Sequence, residues 1–270
     1  MKKVGLCFVL LCTTMIASAA GERIPVGARS LAMGGTSVSQ CDLWSLSNNQ
    51  AGAAWLKGGN AGICFENRFL IKELMFAQLG CAMSWKAGTF GLFGSRFGND
   101  QYNELKAGLS YSRKFGKHFA TGIQVNCLRI HITDEYGSKM LVSCEIGLQY
   151  HADKNLLIGV QLLNPVPVKI TEYPSEYLPS AICAGVSYQF SDLFKTTIEA
   201  EKDLLHPLLI RAGAEYHFVK PIYVRAGISS DPLSFSFGFG LEYGKLTIDV
   251  SSGYHQALGF SPAASLIYNF

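Results

Sequence analysis

Apolar and polar residues alternate with a period of two in short segments from about residue 60 to the C-terminus. In SFSFGFGLEY, at 234–243, every second residue from Phe235 to Tyr243 is phenylalanine, leucine or tyrosine, and serine, glycine or glutamate lies between them. Such alternation is typical of β-strands with one apolar and one polar face. The pattern predicts an all-β chain and leaves a soluble β-sandwich and a membrane β-barrel as alternatives.

The connections between these segments favour the barrel. Tight turns are predicted at six places, near residues 85–88, 115–118, 151–155, 190–194, 218–221 and 243–245. Seven generally longer loops alternate with them, one of which is the proline-rich stretch at 164–179. Outer-membrane barrels have short periplasmic turns and longer external loops. We therefore predict a transmembrane antiparallel β-barrel of about 14 strands over residues 58–270, with both of its ends in the periplasm.

The N-terminus indicates export. Residues 1–20 contain a basic start, MKK, an apolar run, VGLCFVLLCTTMIA, and small residues suited to signal peptidase. This composition is typical of a cleaved signal peptide. The apolar run is too short to be a good membrane-spanning helix. We expect the protein in the cell outer membrane, in contact with outer-membrane lipid.

Composition and charge agree with a membrane location. Charged residues make up 16% of the chain, below the roughly 25% usual for soluble proteins. Removal of Lys2 and Lys3 with the signal peptide lowers the formal net charge from +3 to +1. Nucleic-acid binding requires a basic patch or stripe, so nucleic acid is not an expected partner.

The C-terminal segment AASLIYNF also alternates. Leu266, Tyr268 and Phe270 share one face of the predicted last strand, and Phe270 ends the chain. An amphipathic strand that ends in phenylalanine resembles the signal read by the barrel assembly machinery of the outer membrane. We therefore expect that machinery as a partner.

In a membrane barrel the apolar face contacts lipid, so the polar face lines the lumen. The charged residues predicted to face the lumen are Glu199, Glu201, Arg211, Glu215, Arg225, Glu242 and Asp249. Pairing across the predicted loops places Glu199 opposite Arg211 and Glu215 opposite Arg225. These residues are either structural ion pairs, as buried ions need partners wherever they lie, or a constriction or the polar end of a ligand site.

Residues 21–57 precede the first strand and have neither a helix nor a strand period. In a barrel with a periplasmic N-terminus such a segment lies in or beneath the lumen, so we predict a plug. Glycine permits irregular backbone, and amide side chains can bind it where it meets the polar wall. The candidate plug residues are Gly27, Arg29, Gly34, Gly35, Asn48, Asn49, Gln50 and Gly52.

The segments GARSLAMGG at 27–35 and NNQAGAAWL at 48–56 resemble the N-terminal signature of the FadL-like outer-membrane barrels, in particular the PorV/PorQ branch. Gln50 stands where that signature has proline. The segments LLNPVPVK at 162–169 and LPSAICAGVSY at 178–188 resemble the same branch. The similarity thus extends over most of residues 21–270.

The resemblance implies two functions. A PorV/PorQ-like protein is a non-enzymatic accessory or scaffold barrel in a protein secretion or surface-assembly complex related to type IX secretion, with proteins of that complex as partners. The alternative is a FadL-type channel that takes small hydrophobic molecules across the outer membrane. An apolar track outward from the plug favours the channel, and a wall of paired charges favours the scaffold. The predicted charges favour the scaffold.

The chain offers no constellation for catalysis. Its six histidines lie singly in the sequence, without an H-E-x-x-H motif or paired metal-ligand spacing. No G-x-S-x-G nucleophile elbow is present. We therefore predict no enzymatic activity, no catalytic residues, no metal site and no cofactor.

Two local features give further expectations. Six cysteines follow the signal peptide, and Cys127 and Cys144 would lie on neighbouring strands, where they form either a disulfide or free thiols. In FATGIQVNCLRIHIT, at 119–133, the apolar alternation shifts near Cys127 and Leu128. This shift predicts a β-bulge in the fifth strand.

Overall fold

The computed structural model describes residues 23–133, 137–171, 176–203, 207–219 and 221–270. Fourteen strands form one closed barrel in which every neighbouring pair is antiparallel, and a separate pair of short strands lies in one loop. The predicted all-β barrel and its strand number are confirmed. The predicted signal peptide, residues 1–20, lies outside the described residues.

The strands follow one another around the wall in chain order, and the last pairs with the first. They are β1 (Gly59–Asn67), β2 (Met75–Trp85), β3 (Gly88–Gly98), β4 (Tyr102–Phe115), β5 (Phe119–Ile132), β6 (Gly137–His151), β7 (Leu156–Leu163), β8 (Lys169–Thr171), β9 (Glu176–Tyr177), β10 (Ala181–Ser191), β11 (Phe194–Asp203), β12 (Leu209–Val219), β13 (Ile222–Ser230), β14 (Leu233–Tyr243), β15 (Leu246–His255) and β16 (Gly259–Asn269). Strands β8 and β9 form the separate pair, and the other fourteen form the barrel.

The alternation seen in the sequence determines which side chains face outward. In β14, Phe235, Phe237 and Phe239 are exposed, while Ser236 and Gly238 are buried. A soluble protein buries its large apolar face, whereas a barrel in lipid presents that face to the bilayer. The exposed aromatic and aliphatic side chains therefore form the lipid-facing surface, and the polar side chains line the lumen.

The connections have the predicted order. Tight turns join β2 to β3, β4 to β5, β6 to β7, β10 to β11, β12 to β13 and β14 to β15. These six turns and both ends of the barrel chain lie at one end, which we call the turn end. The other connections lie at the opposite loop end and differ in length, from residues 231–232 to residues 164–180.

Residues 23–57, here called the N-terminal segment, are almost entirely buried and contact the inward-facing side chains of the wall. The segment contains helix α1 (Ala28–Ala32), helix α2 (Ser45–Asn48) and a 3-10 helix (Gln50–Trp55). Two further 3-10 helices, Arg68–Leu70 and Lys72–Leu74, lie in the first loop. None of the helices in the described residues is long and apolar enough to cross a membrane.

The predicted bulge in β5 is wrong. Strand β5 pairs without a register shift with β4 and with β6, and inward and outward residues alternate along its whole length. The apolar pattern shifts because Leu128 and Ile130 face inward, where they pack against Leu141, Ile170 and Leu178. The lumen-facing residues of β5 change from polar to apolar at this level, and the strand itself stays regular.

The candidate disulfide between Cys127 and Cys144 is also wrong. Cys127 lies opposite Val142 and Cys144 lies opposite Val125, so the two cysteines are offset along the paired strands. Both are free, as are Cys41, Cys64, Cys81 and Cys183. The structure therefore has the other predicted alternative, in which the cysteines are small apolar residues with free thiols.

Candidate functional site

The candidate site is the lumen and the N-terminal segment within it. The side chain of Asn48 joins two parts of the segment. Val26 N donates to Asn48 Oδ1 at 2.9 Å, and Asn48 Nδ2 donates to Val26 O at 2.8 Å. Gln50 Nε2 donates to Glu145 Oε2 on the wall at 2.8 Å. The proline of the resembling signature has no such donor, so Gln50 provides a bond to the wall that the signature residue lacks.

Asn49 joins the segment to two strands. Its Nδ2 donates to the backbone carbonyl of Val38 at 2.7 Å and to those of Leu148 and Val160 at 3.1 and 3.3 Å. Its Oδ1 accepts from Ala51 N at 3.2 Å, which caps the 3-10 helix. The side chain is fully buried. Its loss would leave buried carbonyl groups with fewer donors, which is costly.

The segment approaches the wall most closely at strand glycines. A methyl group at Gly147 would overlap Asn49 Oδ1, and one at Gly159 would overlap the carbonyl of Val38. A side chain at Gly227 would overlap the backbone of Gly34. Inward-facing glycines are therefore required where the backbone of the segment lies against the strands.

The glycines predicted for the plug have particular backbone roles. Gly27 precedes α1 with φ 97°, and a side chain there would overlap the ring of Trp44. Gly34 and Gly35 follow α1 with φ 72° and 82°, values that disfavour other residues. Gly52 lies in the 3-10 helix against Ser45. The structure thus places all four glycines in the buried segment.

Four charged side chains form a first ionic network between the segment and the wall. Arg23 Nη1 lies 3.0 Å from Glu199 Oε1 and 2.9 Å from Glu201 Oε2. Arg211 Nη1 contacts the same two oxygens at 3.3 and 2.5 Å. The second oxygen of Glu199 accepts from the backbone N–H groups of residues 37–38 at 2.6 and 2.9 Å. The predicted juxtaposition of Glu199 and Arg211 is present in the strand register.

A second network surrounds Glu215. Arg29 donates to both of its carboxylate oxygens, at 2.9 and 2.7 Å, and Arg225 Nε donates to one of them at 2.6 Å. Arg225 Nη1 also lies 2.6 Å from Asp249 Oδ1, and Arg29 lies 3.7 Å from Asp42. Arginine is always charged in proteins, so Arg29 binds the segment to β12 through a two-point ion pair with Glu215.

The remaining predicted lumen charge, Glu242, lies apart from these networks. It is exposed near the turn end and accepts a hydrogen bond from Tyr223 Oη at 2.9 Å. The other six predicted charges, Glu199, Glu201, Arg211, Glu215, Arg225 and Asp249, all take part in the two networks. A functional role for these residues, as a constriction or a ligand site, remains a prediction.

Glu145 is the centre of a third polar cluster. Its Oε1 accepts from Lys106 Nζ and Asn126 Nδ2, both at 2.8 Å. Its Oε2 accepts from Gln50 at 2.8 Å and from Gln161 at 3.0 Å. The carboxylate is almost fully buried, and four donors with one formal positive charge compensate it.

The loop half of the lumen is lined by both apolar and polar residues. A pocket there has the segment residues Ile24 and Val26 on one side and Lys106 and Gln78 among its polar groups. Its apolar wall residues are Phe76, Phe93, Phe97, Leu128, Leu163 and Leu178. Lys106 Nζ lies 5.9 Å from the centroid of the Phe93 ring. Apolar residues thus line one side of the loop half of the lumen. The first ionic network lies near the loop end of β11 and β12, and the second lies toward the turn end.

Sequence reasoning missed Arg23, Glu145 as a cluster centre and all six apolar wall residues of this pocket. The shift in alternation at Leu128 was the signal for the pocket, because an apolar residue at a lumen position of β5 indicates an apolar lumen. Arg23 carries no such signal, since the segment has no period that predicts its partners.

The C-terminal residues close the barrel. Leu266, Tyr268 and Phe270 are exposed on the lipid-facing surface. Phe270 N donates to Gly59 O at 2.9 Å, and Gly59 N donates to Phe270 O at 3.1 Å. The rings of Tyr268 and Phe270 stack with centroids 5.9 Å apart. Recognition of these residues by the assembly machinery remains a prediction.

The described residues show no group of three or more histidine, cysteine, aspartate or glutamate side chains able to hold a metal ion. His118 Nδ1 lies 2.7 Å from the carbonyl oxygen of His151, near the turn end. The ring of His151 packs against Trp55 with centroids 4.1 Å apart. These contacts give both histidines roles in packing and hydrogen bonding.

Comparison with solved structures shows which fold this is. The CymD monoaromatic hydrocarbon channel is similar with a TM-score of 0.71 at 12% identity, over 91% of this chain and 97% of that chain. The Ralstonia pickettii toluene transporter TbuX has a TM-score of 0.67 at 13% identity, over 91% and 98%. A Pseudomonas aeruginosa FadL homologue has a TM-score of 0.69 at 12% identity, over 93% and 100%.

This chain has the fold of the FadL-type outer-membrane channels. No family profile and no curated protein matches the sequence. These three similar structures are described as a channel, a transporter and a FadL homologue. None of the three descriptions mentions the PorV/PorQ branch. The assignment to that branch therefore remains a prediction.

Proposed function

We propose that this protein is a channel that takes small hydrophobic molecules across the outer membrane, with the N-terminal segment as its gate. The observation that carries the proposal is the pocket between the segment and the loops, in which half of the lining residues are apolar. Its wall includes Phe93, Leu128 and Leu178, and its inner side is Val26. The similar structures described as a monoaromatic hydrocarbon channel and a toluene transporter support this function.

The polar groups of the pocket favour an uncharged cargo. Lys106 is bound by Glu145 at 2.8 Å, and Arg23 by Glu199 at 3.0 Å, so neither cation needs an anionic ligand. The ammonium group of Lys106 beside Phe93 also attracts the face of an aromatic ring. We expect aromatic hydrocarbons among the cargoes.

The pocket requires a moving gate. Its free volume is about 70 Å³, whereas a cavity that binds benzene has roughly 150 Å³. A cargo of that size enters only if neighbouring groups shift. The segment is the part of the lining that is attached to the barrel mainly through side chains, so it is the element that we expect to move.

Uptake of labelled toluene by Gram-negative cells that lack their own hydrocarbon channel tests the function. Cells that make this protein should accumulate toluene faster than cells with an empty vector. Leu128→Trp fills the pocket and should abolish the difference. Leu258→Trp, at an exposed position in a loop, is the matched control and should leave uptake unchanged. Equal uptake with and without the protein would contradict the proposal.

The gate has its own test. Asn49→Leu removes the donor to the carbonyls of Val38, Leu148 and Val160, so the segment should be held less firmly. We expect a higher permeability to a bulky antibiotic that the wild-type barrel excludes. Asn155→Leu, at an exposed turn position, is the control. Unchanged permeability in the Asn49 variant would mean that the segment is not the gate.

A second candidate is the accessory or scaffold barrel of a secretion or surface-assembly complex, as the PorV/PorQ resemblance implies. The networks around Glu199 and Glu215 favour it, because paired charges occupy the lumen both near the loop end of β11 and β12 and toward the turn end of β12 and β13. Purification in mild detergent with mass spectrometry separates the two. A stoichiometric protein partner supports the scaffold, and a lone barrel with a bound apolar molecule supports the channel.

A further inference from the structure

A groove crosses the lipid-facing surface on strands β1 to β5. Small outward-facing residues lie side by side in its centre, because Gly94 pairs with Ala107 and Ala107 with Cys127. Leu79 and Leu105 are among its larger walls, and the groove encloses about 490 Å³. A side chain at Gly94 would meet no atom within 4 Å, so the space in front of this residue is open.

Two arginines lie at the loop side of the groove. Arg96 and Arg129 pair with the same residue, Leu105, from either side, and both line the groove. Two strand spacings separate them, or about 10 Å. Arg96 Nη2 donates to Asp100 at 3.0 Å, and Arg129 Nη2 donates to Ser138 Oγ at 3.2 Å. Of the two guanidinium groups, that of Arg96 has a carboxylate partner and that of Arg129 has a neutral hydroxyl partner, which leaves a net positive charge at this end.

The order of these features along the barrel matches the parts of a lipid. The apolar groove lies nearer the middle of the strands, and the arginines lie within a few residues of the loops, where the headgroup layer of the outer leaflet meets the barrel. An acyl chain fills an apolar groove on a surface that lipid surrounds. Guanidinium groups bind phosphate through paired, charge-assisted hydrogen bonds.

We propose that this groove binds one anionic, phosphate-bearing lipid of the outer leaflet, with an acyl chain on Gly94, Ala107 and Cys127 and the phosphate on Arg96 and Arg129. The proposed lipid contacts are all with outward-facing residues, although Gln78, Ser95 and Lys106 line both this groove and the lumen pocket. The lipid fills the depression and neutralises the arginines beside the bilayer.

Native mass spectrometry of the detergent-purified barrel, titrated with phosphatidylglycerol or phosphatidylcholine, tests the site. The charge variant is Arg96→Gln with Arg129→Gln. The groove variant is Gly94→Leu, which fills the open space without a clash. Arg113→Gln is the matched control, because Arg113 is exposed on β4 near the turn end, away from the groove. Heat-modifiable gel mobility confirms that each variant forms a barrel.

The wild type should bind one phosphatidylglycerol more tightly than phosphatidylcholine. The charge variant should lose affinity for phosphatidylglycerol by roughly 25-fold, the product of about fivefold for each basic residue near an anionic headgroup. The groove variant should bind both lipids more weakly than the wild type. Arg113→Gln should bind both as tightly as the wild type does, and inorganic phosphate should not displace the bound lipid.

The proposal is overturned if the charge variant or the groove variant binds phosphatidylglycerol within about twofold of the wild type, a difference below the effect of one arginine. It is also overturned if Arg113→Gln loses as much affinity as the charge variant, because the effect would then be one of overall charge. Displacement by inorganic phosphate would show a simple anion site instead of a lipid site.

Discussion

The guanidinium group of Arg23 lies 3.0 Å from the carboxylate of Glu199, a residue 176 positions further along the chain. Arg211 shares the same carboxylate from the neighbouring strand, and two backbone N–H groups of the segment bind its other oxygen. Glu199 is fully buried. One side chain of the wall therefore fixes both ends of a stretch of the segment, from Arg23 to Val38.

Loss of this carboxylate charge should destabilise the barrel. In Glu199→Gln, Arg23 and Arg211 keep only Glu201 as an anionic partner, and removal of one member of a buried ionic cluster costs about 3 kcal/mol. We expect the free energy of unfolding in detergent to fall by that amount. Glu73→Gln, at an exposed loop residue, is the control. Equal urea midpoints for the two variants would show that Glu199 is not needed for stability.

A side chain at Gly147 should displace the segment, because a methyl group there would overlap Asn49. We expect Gly147→Val to cost about 1–3 kcal/mol through overpacking. The emission of the buried Trp44 should shift to longer wavelength, and trypsin should cleave after Arg29 more rapidly. Gly94→Val adds the same side chain at an open position on the outer face and should change neither signal. An unshifted spectrum with resistance to trypsin in the Gly147 variant would contradict this prediction.

The cysteines should not form disulfides. Cys127 faces the lipid and lies opposite Val142, so Cys127→Ser should alter the free energy of unfolding by less than about 0.5 kcal/mol. Cys183 is fully buried, and Cys183→Ser should lower that free energy by about 1–2 kcal/mol, because it adds a buried hydroxyl group. Six reactive thiols in the protein denatured without reductant would support the prediction, and four would reveal a disulfide.

The terminal phenylalanine should matter more for assembly than a phenylalanine at the other end of the same strand. Phe270 covers Gly59 where β16 meets β1, whereas Phe260 lies near the loop end of β16. We expect Phe270→Ala to reduce the fraction of heat-modifiable barrel in isolated outer membranes more than Phe260→Ala does. A similar fraction for both variants would remove the special role of the C-terminus.

The barrel could be predicted from the sequence because each strand carries its own signal. In β14 the alternation of phenylalanine with serine and glycine assigns every residue to the lipid or the lumen, and no distant contact is needed to interpret it. The sequence signals for the tight turns are equally local. The opposition of Glu199 and Arg211 then followed from hairpin pairing alone.

The candidate site could be predicted only in part, since its contacts join residues far apart in sequence. Arg23 meets Glu199, and Leu128 meets Leu178 across a loop, and neither pairing follows from a local period. The shift in alternation at Leu128 predicts a bulge only if the lumen is polar along the whole of β5. A shift in alternation can therefore mark an apolar part of the lumen lining as well as a β-bulge.

The hydrogen bonds of Asn49 to β6 and β7 bear on the order of folding. Their partners lie about a hundred residues further along the chain, and those of Arg23 lie further still. Contacts of such high sequence separation form late, because the chain between them must first be ordered. The N-terminal segment precedes every strand of the barrel, but it can reach its final position only after most of the strands have formed. The first described part of the chain is therefore the last to become native.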